Sequence, residues 1–266
     1  MLLKAAGLSR STFYYQARAL QAEDQHAGLK ARIRAVYEHH KGRYGYRRIT
    51  ATLRQTGEMV NHKTVQRLMQ MLGLKSLVRP KKYRSYKGQQ AKVPNILCRQ
   101  FQAQQPNQKW VTDVTEFNVR GEKLYLSPIM DLYNGEIVSY TMQRRPCFTL
   151  VSSMLKKAID KLSGKEAPLL HSDQGWQYQM TAYQHQLAAH GLIQSMSRKG
   201  NCLDNAAMES FFGTLKSEFF YLNCFENIEQ LQAGIRQYIH YYNHERIRTK
   251  LKGLSPVQYR NQALAA

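Results

Sequence analysis

Through the first third of the chain, apolar residues return at three- and four-residue steps. Leu29, Ile33, Val36 and Tyr37 mark one amphipathic helix, and Ile49 and Leu53 fall in a second. Val65, Leu68 and Leu72 mark a third, which Asn61 is placed to cap. Ahead of these lies a shorter pattern over residues 1–22. There Leu2, Leu3, Ala6 and Leu8 precede a helix from Ser11 to Arg18, with Gly7 at the turn. Both stretches have the outline of helix-turn-helix modules, in which the N-terminal end of the second helix meets base edges.

From Asn107 the period changes to that of strands. Residues 109–117, 123–130 and 136–141 are rich in aromatic and β-branched types, and Asn134-Gly135 predicts a hairpin between the last two. A helix follows over 149–162, then a short apolar strand over 169–172 that ends at Asp173. A helix over 181–190, a strand over 192–196, a helix from Asp204 as cap to Tyr221 and a helix over 228–242 complete the pattern. Three strands in a meander, then alternating helix and strand, is the order of an RNase H-like α/β fold with a mixed five-stranded sheet. The pattern therefore divides the chain into a helix-turn-helix remnant (1–22), a helical DNA-binding domain (27–77), a basic linker (78–102) and a catalytic domain with C-terminal helices (103–266).

Charge sharpens this division. The formal net charge is +21. Residues 1–100 hold 21 Lys and Arg against 4 Asp and Glu, whereas the remainder holds 18 against 14. A basic front half joined to a nearly balanced back half points to a polyanion partner held by the front. The run Arg79-Pro80-Lys81-Lys82-Tyr83-Arg84 interleaves cations with tyrosine, a pattern suited to tracking a nucleic-acid backbone. The candidate DNA contacts are Arg43, Arg47, Arg48, Lys63 and Arg67 in the helical domain and Lys81, Lys82 and Arg84 in the linker. The four cysteines have no zinc-clip spacing and read as reduced. No apolar run reaches 18 residues, so no membrane span is expected, and the chain is assigned to the cytoplasm.

Asp113 shares strand parity with Val111 and Thr115, which sets a carboxylate among buried positions, and that is costly unless something offsets its charge. Asp173 closes a short strand just before Gln174-Gly175, and strand ends of α/β sheets are where sites gather. On the long helix, Asn205, Glu209 and Lys216 form one stripe, since seven steps return to within about 20° of the same face. Three converging carboxylates can hold two Mg²⁺ ions for in-line phosphodiester chemistry. Spacing alone does not single out this triple, because Glu116, Asp131 and Asp204 compete. His171 reads as a structural histidine.

The words Trp110-Val111-Thr112-Asp113, His171-Ser172-Asp173-Gln174-Gly175 and Asn205-Ala206-Ala207-Met208-Glu209 to Lys216 resemble those of the DDE transposases of the insertion-sequence-three family, relatives of retroviral integrases. So do Ser195-Met196-Ser197-Arg198-Lys199-Gly200-Asn201, Tyr241-Tyr242-Asn243-x-x-Arg246 and Gly42-Arg43-Tyr44-Gly45-Tyr46-Arg47-Arg48. The resemblance implies that Asp113, Asp173 and Glu209 are the catalytic, metal-holding triad. It implies Mg²⁺ or Mn²⁺, two ions, as cofactor and a DNA-gripping role for Lys216, to which Asn205 is added as a further candidate. The activity implied is nicking at element ends by water, followed by attack of the freed 3′-hydroxyl on DNA. It further implies a bacterial, nucleoid-associated protein that forms a homo-oligomer on element-terminal and target DNA and works with the protein of an upstream reading frame. Two other readings remain open at the level of sequence: a DNA-binding regulator with an inactive RNase H-like domain, and a nuclease that cuts without joining.

Overall fold

A single strand row carries the centre of the larger part of the chain, and one proline breaks it. The fold is given by a computed structural model that describes residues 9–11, 13–15, 24–78, 93–164, 166–198 and 202–264. Most of the 1–22 module, and the linker cations Lys81, Lys82 and Arg84, lie outside the described residues. The chain divides into two compact units, Met1–Ser76 and Leu77–Ala266.

In the first unit, α1 (Ala27–His39), α2 (Tyr46–Gln55) and α3 (His62–Met71) bury Ile33, Ile49, Leu53, Val65, Leu68 and Met69 against one another. Leu72, expected in this core, is the half-buried cap residue after α3, and Met69 takes the inward place. Asn61 caps α3 as expected, its side chain accepting from Lys63 N–H at 2.9 Å. The glycine-tyrosine word between α1 and α2 is a packing device: Tyr44 is buried and stacks on His40 with ring centroids 3.7 Å apart.

In the second unit, the strands are β1 (Lys109–Thr112), β2 (Thr115–Val119), β3 (Glu122–Asp131), β4 (Ile137–Gln143), β5 (Leu169–Ser172) and β6 (Ile193–Met196). The strand expected to run unbroken through 109–117 is interrupted at Asp113 and Val114. β1 and β2 nevertheless keep one register on β3: Thr112 faces Ile129, and three residues on, Thr115 faces Leu126. Asp113 therefore falls opposite Pro128. The Pro128 carbonyl faces β1, where it accepts from Thr112 Oγ1 at 2.9 Å. The N–H that proline lacks would have pointed the same way, so the ladder loses a donor at Asp113. Counting β1 and β2 as one row, the sheet has five rows. β3 has β4 on one side and β1 on the other, with β5 and β6 continuing in parallel beyond β1. This is the expected RNase H-like order.

Side chains alternate between two cores. Trp110, Ile129 and Leu170 face α4 (Phe148–Ile159) and α5 (Thr181–Ala189). Val111, Phe117, Leu126 and Met130 face α6 (Ala206–Glu218) and α7 (Ile228–His244). Asp113 and Asp173 share the parity of Val111 and His171, so both lie on the α6 face. A final helix, α8 (Pro256–Leu264), begins with a capping box in which Ser255 and Gln258 exchange side-chain and backbone hydrogen bonds, with proline at the first helical position. The sequence reading passed over this start signal.

Candidate active site

The parallel pairing of β1 with β5 sets the first two carboxylates side by side. Lys109 faces Leu169, Trp110 faces Leu170 and Val111 faces His171, and Asp113 and Asp173 each come two residues later, just past the end of the strand. Neighbouring strands lie roughly 4.8 Å apart, so two negative charges meet at one strand end. One oxygen of each is pinned by a local backbone amide. Asp113 Oδ1 accepts from Val114 N–H at 2.7 Å, a bond the broken ladder leaves free to form, and Asp173 Oδ1 accepts from Gly175 N–H at 2.9 Å. No protein donor reaches the other oxygen of either among the described residues. A Cβ at Gly175 would stand 2.7 Å from Gln177 Nε2 and 3.0 Å from Asp173 Oδ1, so a larger residue would push on both side chains.

Electrostatics place Glu209 and Lys216 in the same field. Burial, and next the charge of Asp173, push the Asp113 carboxyl up to about 7; Glu209 adds to this, while the Val114 N–H and Lys216 oppose it. Burial also raises Asp173 and Glu209. The phenol of Tyr178, fully buried, is raised by burial and then by Asp113 and Asp173 together, so it forms part of the floor. Lys216 holds its ammonium 5.3 Å from the centre of the Phe117 ring. Among the described residues no three His, Cys, Asp or Glu side chains are drawn together into a ready-made metal cage. The donor set itself, buried hard oxygens whose charges repel one another, suits a hard divalent cation.

The competing acids have structural partners. Asp131 is fully buried and accepts from Asn107 N–H, Tyr133 N–H and Arg260. Asp204, expected as the cap of α6, is not its cap. Arg198, Arg99 and Asn95 all bind its carboxylate, and although burial acts to raise it, Arg198 and Arg99 hold it well below the usual carboxylate range. Glu116 lies exposed on the outer face, paired with Lys123. His171 is fully buried. Ser195 Oγ accepts from the N–H groups of Ile96 and Leu97, so its own hydrogen goes to His171 Nδ1 at 2.8 Å, and burial lowers the ring to about 4. A neutral, hydrogen-bonded imidazole braces β5 to β6.

Asn205, expected on the DNA side of its helix, is turned inward instead. It is 4% exposed and its Nδ2 donates to Thr112 O at 3.1 Å. Of the candidate DNA contacts in the helical unit, Arg47, Lys63 and Arg67 are exposed, and Arg48 is half-buried over the Tyr44 ring. Arg43 is buried, with little surface to offer a phosphate.

Sequence reasoning missed the ties that hold α6 and α7 to the sheet. Arg246 makes a two-point ion pair with Glu218, both N···O distances 2.7 Å, at the end of α6. Tyr238 donates to the same carboxylate. Asn243 accepts from Ile137 N–H and donates to Ile137 O, closing the start of β4. The tyrosine-asparagine-arginine word thus has a bracing role.

Residues 103–202 and 209–264 each match an Integrase core domain family, and residues 23–82 match an HTH-like domain. The chain is 56% identical over 262 residues to the InsK transposase of insertion sequence element IS150 from Escherichia coli K12, covering 98% of this chain and 93% of that protein. It is 35% identical over 237 residues to the InsF transposase of IS3A from the same organism, covering 88% and 82%. Among solved structures, the HTLV-2 integrase catalytic core in complex with magnesium aligns with 59% of this chain and 99% of that one, at 19% identity and a TM-score of 0.49. The chain belongs to the insertion-sequence-three family of transposases, within the retroviral-integrase-like superfamily.

Proposed function

We propose that Asp113, Asp173 and Glu209 are the catalytic carboxylates of this transposase and that they hold two divalent ions, Mg²⁺ or Mn²⁺. The observation that carries this reading is the pair of strand-end aspartates. They follow the ends of neighbouring strands, each with one oxygen fixed by a backbone amide, and Glu209 bears on Asp113 from α6. Bound ions would activate the attacking oxygen and stabilise the leaving one. The protein's own residues do the rest. Backbone amides orient the two aspartates, α6 presents Glu209, and Lys216 on the same stripe grips a phosphate of the DNA end. In the first step water attacks the phosphorus at the element end and the 3′-oxygen leaves. In the second the freed 3′-hydroxyl gives up its proton and attacks a phosphodiester of the recipient DNA, joining to the 5′-phosphate there while the recipient strand's 3′-oxygen leaves and is protonated.

Three further assignments belong to this proposal. The helical unit binds the terminal repeats through Lys63 and Arg67 at the start of α3, supported by Arg47. The chain works as a homo-oligomer on DNA in the bacterial nucleoid. The protein of an upstream reading frame contributes to end recognition. The test is incubation of the protein with labelled element-end DNA and Mg²⁺. Joined products support the proposal; nicks alone would make the protein a nuclease, and bound but uncut DNA a regulator.

A further inference from the structure

The end of β1 has two weaknesses, and a side chain from the start of α6 is tied to the strand just before them. Pro128 removes the ladder donor beside Asp113, and the strand pauses there before β2. At that point Thr112 O, one residue before the catalytic aspartate, accepts its hydrogen bond from Asn205 Nδ2. The carbonyl can only accept, so the amide orientation is fixed: nitrogen towards Thr112, oxygen away from it. That oxygen, Asn205 Oδ1, is fully buried and has no hydrogen-bond donor among the described residues. Asn205 begins α6 without using its side chain to cap the helix, so the orphan acceptor is not explained by capping. Four residues on, across one helical turn, stands Glu209. One amide therefore ties the strand that leads to Asp113 to the helix of Glu209 and carries a buried acceptor that no described donor satisfies.

We infer that Asn205 is a positioning residue of the catalytic centre: its Nδ2 fixes the Thr112–Asp113 strand end to α6, and its free Oδ1 accepts a hydrogen bond from a water in the shell of a divalent ion held by Asp113 and Glu209. This rests on the metal-binding role proposed above for the carboxylates. A buried acceptor left open is retained where something arrives to fill it. Ligand-orienting partners of this kind typically change metal affinity when removed.

The test measures Mn²⁺ binding by full-length protein in the absence of DNA, from the loss of the free Mn²⁺ paramagnetic resonance signal, alongside thermal unfolding and strand transfer. Asn205→Ala removes both functions of the amide and should weaken Mn²⁺ binding roughly 10- to 100-fold. Asn205→Asp removes the donor to Thr112 but leaves oxygen facing the site. It should bind Mn²⁺ at least as tightly as wild type, yet lose strand transfer. A merely structural role would lower unfolding temperature in both variants and leave Mn²⁺ affinity of the folded protein unchanged, which would overturn the inference. If Asn205→Ala fails to fold, the Asp variant decides alone: weaker Mn²⁺ binding than wild type, or full strand transfer, overturns the inference. If wild-type binding is not lost in Asp113→Asn, the metal reading itself falls and this inference with it. If it is lost there but unchanged in Asn205→Ala, only the inference falls.

Discussion

Asp113 and Asp173 each follow directly on the end of one of two adjacent parallel strands, close enough that the charge of Asp173 raises the Asp113 carboxyl. Their neutralisation should be the most damaging small change available. Asp113→Asn, Asp173→Asn and Glu209→Gln each preserve shape and remove a charge. Each should lower strand transfer by at least about 10²-fold, the scale of losing one group that stabilises a transition state. DNA binding measured by gel shift should stay near wild type. A variant that joins DNA at the wild-type rate removes its residue from the site.

The clustered carboxylates should also mark the stability of the metal-free protein. Asp113 is raised to about 7 from an ordinary value of 3.8, and Asp173, Glu209 and Asp131 are raised as well. A raised carboxyl binds more protons folded than unfolded, so stability falls as pH rises between the two values and is level above the higher one. Asp204 is lowered, so its effect is confined to more acid conditions. His171, lowered to about 4, opposes this over about pH 4 to 6.5, but four raised carboxyls outweigh one ring, so the unfolding temperature of metal-free protein should still decline from about pH 4 to about pH 7. Asp113→Asn should flatten the slope. Mn²⁺ should raise the unfolding temperature more at pH 8 than at pH 5, and an equal rise at both would contradict this account.

Breaking the buried pair Arg246–Glu218 should cost more than any surface change. Arg246 is 6% and Glu218 2% exposed, so Arg246→Met strands a carboxylate in the core. The expected loss is about 3–5 kcal/mol in denaturant unfolding. The double variant Arg246→Met with Glu218→Leu should recover much of it, since an apolar replacement of the whole pair leaves no charge stranded. No recovery would mean that the pair matters through packing.

Lys216→Ala should weaken engagement of the terminal DNA without abolishing metal binding, read as a lower yield of crosslink to the terminal base. In the helical unit, Lys63→Ala and Arg67→Ala should each lower the salt dependence of binding. Every phosphate left without its cation takes about 0.9 off the log–log slope. A slope unchanged by both would place the DNA elsewhere.

Much of this fold could be read from periodicity alone. The shared parity of Val111, Asp113 and Thr115 put the aspartate on an inward face, and the structure places Val111 in the core beneath α6. The short apolar run before Asp173 and the shared stripe of Asn205, Glu209 and Lys216 on the long helix located the other two elements. The break at Asp113 was not anticipated, because its cause, Pro128, sits on another strand and acts by lacking a donor. The turn of Asn205 towards Thr112 was hidden for a related reason. A helical stripe says which residues share a side, but not whether a polar one faces solvent or a bare carbonyl. Arg246–Glu218 and Asn243–Ile137 join residues far apart in sequence, and no local period records them. The helix at Pro256–Leu264 was within reach through its Ser255, Pro256 and Gln258 start signal.

The brace built by Asn243 and Arg246 changes how damaged copies of such an element would be judged. Both residues lie well beyond Glu209, yet they secure the opening of β4 and the end of the helix that carries it. A copy truncated just before Asn243 would retain every acid of the triad and every word around it. It would lose the clasp that holds those acids in register. An inventory of intact carboxylates therefore overcounts working genes, and the segment from Asn243 to Ala266 is as decisive a mark of decay as the triad itself.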